Sequence, residues 1–162
     1  MSKISPFLWF DNQAEEATNF YASIFRNSKI TNVSRVGEGP SGEPGSVMTT
    51  SFNLDGQDFI ALNGGPMFAF SPAISLFVSC GSQEEVDHFW DNLSADGGEK
   101  QRCGWLKDKF GISWQIIPTA LGELMGDQDP VKAKRVMDAM LQMDKIDIAK
   151  LVQAHGGDNI SG

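Results

Sequence analysis

The order strand, helix, strand, strand, strand occurs twice in this chain, the second pass starting about 70 residues after the first. Few folds accommodate such a repeat, because each helix can cover only one face of the sheet it follows. In the first pass, ISPFLWF (4–10) reads as a strand with an irregular start at Pro6. DNQAEEATNFYASIF then carries Ala14, Ala17, Phe20, Tyr21, Ile24 and Phe25 at helical spacing, predicting a helix over 13–25 with Asp11 or Asn12 as its cap. KITNVSRV (29–36) reads as a strand. SVMTTSFNLDGQDFIALNGG (46–65) reads as a hairpin turned by Asp55-Gly56. The second pass has a strand at 73–80 and a helix over 82–98, opened by the capping box of Ser82 and Glu85 and stopped by Gly97-Gly98. A weak strand near 99–103, then WLKDK and SWQIIP, complete it.

The tail is helical. Asp129-Pro130 is a cap with proline in the first turn, and Asp147 opens a shorter helix through Ile148, Leu151 and Val152. Val136, Met137, Met140, Leu141 and Met143 form a stripe that suits core or subunit contact, with a methionine-lined ligand groove as the alternative. GGDNISG (156–162) is expected to be unstructured.

Several function classes are disfavoured at once. Thirteen basic against twenty-one acidic residues give a net charge of −8, which repels a phosphate backbone, so no nucleic-acid partner is expected. KAKR at 132–135 reads as a solvated helix face. No apolar run approaches the roughly 20 residues of a membrane span, and MSKISPFLWF lacks the features of a secretory leader. No membrane association and a cytoplasmic location are expected. Cys80 and Cys103 form no CxxC pair and read as two unrelated reduced thiols. GEGPSGEPG (37–45) lacks the terminal Gly-Lys-Ser/Thr of a phosphate loop, and a strand follows it. It predicts a hairpin loop, with a flexible lid as the alternative.

The doubled βαβββ order, together with FLWFDNQAEEATNFYASIF, GEGPSGEPGSVMTTSFNLDGQDFIALNGGP, SQEEVDHFWDNLSADGGEKQRCGWLKDKFGISWQIIP and RVMDAMLQMDKIDIAKL, resembles the vicinal oxygen chelate superfamily. Glyoxalase I, bleomycin-resistance proteins and extradiol dioxygenases belong to it. Within it, the chain is similar to the PhnB-like branch, often labelled 3-demethylubiquinone-9 3-methyltransferase. The resemblance implies an α+β fold in a single domain, 1–162: two βαβββ modules, about 3–65 and 72–118, form a curled, cavity-enclosing sheet, with a helical tail at 119–155.

The metal-using relatives of this superfamily place four ligands, typically histidine and glutamate, on the first and last strands of each module. The resemblance puts those positions at Ser5, Ala61, Ala73 and Gln115. Two alanines donate nothing, and serine and glutamine are weak neutral ligands, so no metal and no cofactor are expected. Slipping the register does not help, since neither 4–10 nor 73–79 contains His, Asp, Glu or Cys. His88 and His155 read as helix and tail residues. Gln115 then resembles the remnant of a ligand position, able to orient a polar molecule through its amide. Alternation places Ser5, Phe7 and Trp9 on one face, and Asn63 beside Ala61, while Trp105 adds a further aromatic ring. These eight residues, Ser5, Phe7, Trp9, Ala61, Asn63, Ala73, Trp105 and Gln115, are the expected lining of a cavity for a small organic molecule.

The leading expectation is therefore metal-independent small-molecule binding by a homodimer. The alternatives are a lyase or oxygenase, the methyltransferase of the label, and a structural homodimer. The label meets a difficulty, since no glycine-rich loop follows the first strand, where a doubly wound methyltransferase would need one.

Overall fold

A computed structural model describes residues 2–40 and 42–157. The chain divides into two compact units, residues 1–70 and 71–162. Each holds one βαβββ module, so the α+β class and the repeat are as expected.

In the first unit β1 (Phe7–Phe10), α1 (Ala14–Ile24), β2 (Ser28–Arg35), β3 (Val47–Leu54) and β4 (Gln57–Asn63) follow in order. The sheet order is β1-β4-β3-β2, with β1 and β4 parallel and the other pairs antiparallel. Asp55 and Gly56 both take positive φ, 49° and 90°, the geometry of a two-residue turn that matches strand twist. The 37–45 stretch joins β2 to β3, and its ends are bonded where Val36 N–H donates to Ser46 O at 2.8 Å. It is a hairpin loop.

α1 buries Ala14, Ala17, Thr18, Tyr21 and Ile24 against one face of this sheet. Thr18 Oγ1 lies 2.6 Å from Thr50 Oγ1, and the Phe52 ring stacks on Phe59 at 5.3 Å. Neither Asp11 nor Asn12 caps the helix. Gln13 occupies the cap position without a side-chain bond, and Asn63 of β4 instead accepts from Ala14 N–H at 2.8 Å. A first-turn donor is thus satisfied from across the sheet.

The second unit repeats the plan with β5 (Ser75–Cys80), α2 (Gln83–Leu93), β6 (Glu99–Lys100), β7 (Trp105–Lys107) and β8 (Ser113–Pro118), in the order β5-β8-β7-β6. Ser82 Oγ accepts from Glu85 N–H, and Glu85 reaches back to Gly81 N–H. The helix ends at Leu93, short of the glycine pair. Ser94 Oγ donates to Trp90 O at 2.6 Å, and Asp96 turns left-handed with φ 57°. Val86, Trp90 and Leu93 of α2 are buried, as are Leu106, Trp114 and Ile116 of the sheet.

Three helices follow: α3 (Thr119–Met125), α4 (Pro130–Met140) and α5 (Ile148–Gly156). Asp129 and Asp147 cap the last two as expected. Leu121, Val136, Ile146 and Leu151 form their core, with Met140 and Met143 packed against it. Met137 and Leu141 of the stripe stay exposed. Gln83 fastens this tail to α2, donating to Ile146 O at 3.0 Å and accepting from Ile148 N–H at 2.8 Å. The expectation for the last residues falls outside the described chain from 158 onward. No helix among the described residues is long and apolar enough to cross a membrane.

The turn between β7 and β8 closes on one carboxylate. Asp108, 1% exposed, accepts from Phe110 N–H (2.9 Å), Ile112 N–H (3.0 Å) and Trp114 Nε1 (2.9 Å). Such charge-assisted bonds in a water-poor site are stronger than neutral ones. Asp108→Asn turns one acceptor oxygen into a donor facing another donor. It should lower unfolding free energy by about 2 kcal/mol in urea titration.

Candidate functional site

Strand pairing sorts the residues by face. Partners in register share a side of the sheet, and neighbours along a strand alternate. In the first unit Thr50 pairs with Ala61 and Phe52 with Phe59, and these face α1. Phe7 pairs with Ile60, and Trp9 with Leu62, on the opposite, helix-free face. In the second unit Leu106 pairs with Trp114, in the face under α2, while Trp105 and Phe77 both pair with Gln115 on the opposite face, where Ile117 packs against the core of the tail helices.

The eight expected residues therefore divide. Phe7 and Trp9 stand together on the first helix-free face. Trp105 and Gln115 stand together on the face of the second sheet away from α2. Ala61 and Asn63 do not share a face with Phe7 and Trp9: Ala61 is fully buried on the α1 side, and Asn63 bonds Ala14 N–H and Val47 O. The one-residue parity of a strand is the reason, since the helix-free positions of β4 are Ile60 and Leu62. Ser5 precedes β1, which begins only at Phe7, after Pro6. Ala73 is exposed in the turn after Pro72, and β5 begins at Ser75.

Two local arrangements fix the aromatic groups. In the first unit Trp9 Nε1 donates to Gly65 O at 2.9 Å, and Phe68 meets the Trp9 ring edge-on at 5.0 Å. Gly64 lies so close that a Cβ there would sit 2.4 Å from the indole. In the second unit Phe77, Gln115 and Trp105 form one row across β5, β8 and β7. Gln115 Nε2 donates to Ser75 Oγ at 2.9 Å. Ser75 escaped sequence reasoning; only the parallel register of β5 on β8, forty residues apart, brings it to Gln115. The Ser75 row also holds Ser113 and Lys107, and Lys107 lies 3.6 Å from Glu99.

The four positions that the resemblance assigns to metal ligands do not fit a metal. Ala61 and Ala73 carry no donor, Ala61 faces the helix, and the Gln115 amide is neutral and hydrogen-bonded. Among the described residues no three His, Cys, Asp or Glu side chains gather so as to hold a metal ion. His88 is exposed on α2, and His155 pairs with Asp127 at 2.8 Å in the tail. Cys80 is fully buried, and burial, with Glu85 adding to it, pushes its thiol up to about 12, so it is a poor nucleophile.

A groove of about 400 Å³ lies elsewhere in the second unit, lined by Gln83, Asp87, Asp144, Lys145, Asp147 and Lys150. None of the eight expected residues lines it. Gln83 and Lys145 both bond Asp87 and hold its carboxyl below the usual range, and Gln83 also secures the tail. The groove is the seam where the tail is fastened, with its charges largely paired.

The family described as 3-demethylubiquinone-9 3-methyltransferase matches residues 2–117, and the chain belongs to it. A PhnB protein from Bacillus cereus bearing the same description is 38% identical; the match covers 73% of this chain and 100% of that one, with a TM-score of 0.67. PA1353 from Pseudomonas aeruginosa shares the fold at 18% identity, covering 73% of this chain and 98% of its own, with a TM-score of 0.61. No curated protein matches the chain. The family match stops at residue 117, so α3, α4 and α5 lie beyond it.

Gly64→Ala tests the seating of Trp9. The added methyl must push the indole off Gly65, at about 1–3 kcal/mol for overpacking. Urea melts should show that loss, and tryptophan emission should move as the ring leaves its hydrogen bond.

Proposed function

We propose that the chain is a metal-independent binder of a small, flat organic molecule. The observation that carries this reading is the Phe77–Gln115–Trp105 row, where two aromatic side chains flank a hydrogen-bonding amide on the sheet face away from α2. Apolar rings with a few placed polar groups are the usual chemistry of small-molecule sites. Phe7, Trp9 and Phe68 give the first unit a second aromatic surface of similar kind. The absence of imidazole or carboxylate donors at the expected ligand positions supports binding without a transition metal.

A second reading follows from the family's description, a methyltransferase acting on 3-demethylubiquinone-9. Against it, β1 passes through Asp11, Asn12 and Gln13 straight into α1, and the glycine-rich stretch connects β2 to β3 instead. Neither place offers the glycine turn at a helix N-terminus that doubly wound folds use for nucleotide-like cofactors.

Thermal shift separates the readings, because a ligand of the native state stabilises it by about 2.7 kcal/mol at a hundred times its Kd. Small aromatic compounds should raise the melting temperature, whereas zinc, iron, nickel, manganese and S-adenosylmethionine should leave it unchanged. A shift with S-adenosylmethionine, or one equivalent of transition metal retained through purification, would overturn the proposal.

A homodimer is proposed as the working assembly, supported by Val131, Met137 and Leu141, which α4 and its C-cap leave exposed. Sedimentation velocity should give about twice the chain mass at micromolar concentration. A monomer throughout the range would contradict it.

A further inference from the structure

The face of the second sheet away from α2 carries more information than the presence of aromatic rings. Gln115 Nε2 donates to Ser75 Oγ at 2.9 Å, which uses one amide proton and one lone pair of the hydroxyl. Among the described residues nothing donates to Gln115 Oε1, and nothing accepts the Ser75 proton. Gln115 Oε1 is not buried without a partner, and Gln115 and Ser75 are both half-buried rather than enclosed. The pair thus offers one acceptor and one donor side by side. Turning the amide over exchanges the two roles and keeps that balance.

Charge is the second constraint. The row of Phe77, Gln115 and Trp105 contains no ionisable group. The nearest row adds only Lys107, which faces Glu99 at 3.6 Å, so its positive charge is met by a negative one. An ionised ligand over Gln115 would give up hydration without gaining a counter-charge. Shape is the third. The strands bearing Phe77 and Trp105 stand on either side of β8, about 10 Å apart, which is room for one ring with an aromatic contact on each side.

We infer that Gln115 and Ser75 form a recognition pair for an uncharged, flat ligand bearing a hydrogen-bond donor and acceptor next to each other, as in a ring carboxamide. The inference rests on the reading of this face as a binding surface. A carboxamide gives its N–H to Gln115 Oε1 and takes the Ser75 O–H on its carbonyl oxygen, and its ring lies between Phe77 and Trp105.

The test uses the full chain with three probes of matched size: benzamide, benzoate and benzylammonium. Affinities come from calorimetry and saturation-transfer NMR at pH 7. Benzamide should bind at least about tenfold more tightly than either ion. Gln115→Leu should abolish that preference, and Gln115→Glu should shift it toward benzylammonium. Ser75→Ala serves as the second variant if the leucine variant does not fold, and it should weaken benzamide alone. Equal affinity for an ion and the amide, or a preference that survives Gln115→Leu, overturns the inference. Silence of all three probes at millimolar concentration overturns it as well. The aromatic thermal-shift panel then decides whether binding by the chain stands without this pair or falls with it.

Discussion

Everything in each module depends on the parallel pairing of its first strand with its last. β1 lies beside β4, and β5 beside β8, so the strand that precedes the helix forms one edge of its sheet and the last strand of the module lies inside it. The single helix of each module then covers one face, and in the second unit the tail core packs against Ile117 at one end of the other. Strand alternation converts this into a strict division of labour. Odd and even positions of one strand meet different surroundings, one set packed under the module's own helix and the other facing away from it.

The covered faces hold polar groups only where these are fully satisfied. Thr18 and Thr50 meet each other under α1, and Asp108 is surrounded by three N–H donors at the tip of the β7–β8 turn. Hydrogen bonds of this kind cost little when complete and much when broken, which makes them devices for defining one arrangement. Gln115 and Ser75 differ. Their bond is incomplete by one donor and one acceptor, and it lies where water or a ligand can finish it.

Much of the fold was legible in the residues. The Asp55-Gly56 turn, the Ser82 and Glu85 box and the Asp129-Pro130 start are local signals, and each stands where expected. The repeat carried the architecture. What was not legible depended on contacts distant along the chain. Asn63 caps α1 from 49 residues away, and no local pattern predicts that. Ala61 and Asn63 stand on the α1 side of β4, which only the pairing register reveals, because a shift of one residue along a strand exchanges its two sides. Ser5 and Ala73 fall outside their strands because each stands beside a proline, which removes a backbone donor and restricts its neighbours. The seven-residue α3 contains Gly122 and gives little periodic signal. Ser75 could be joined to Gln115 only through strand register.

The two thiols leave a practical opening. Cys80 has no exposed surface and holds its proton to about pH 12, so maleimide reagents have no thiolate there to attack at neutral pH. Cys103 is partly exposed in the turn two residues before Trp105. A fluorophore or spin label added to the unmodified protein would therefore attach at one defined place, close along the chain to the ring that flanks Gln115, and could report what arrives there without any engineered cysteine.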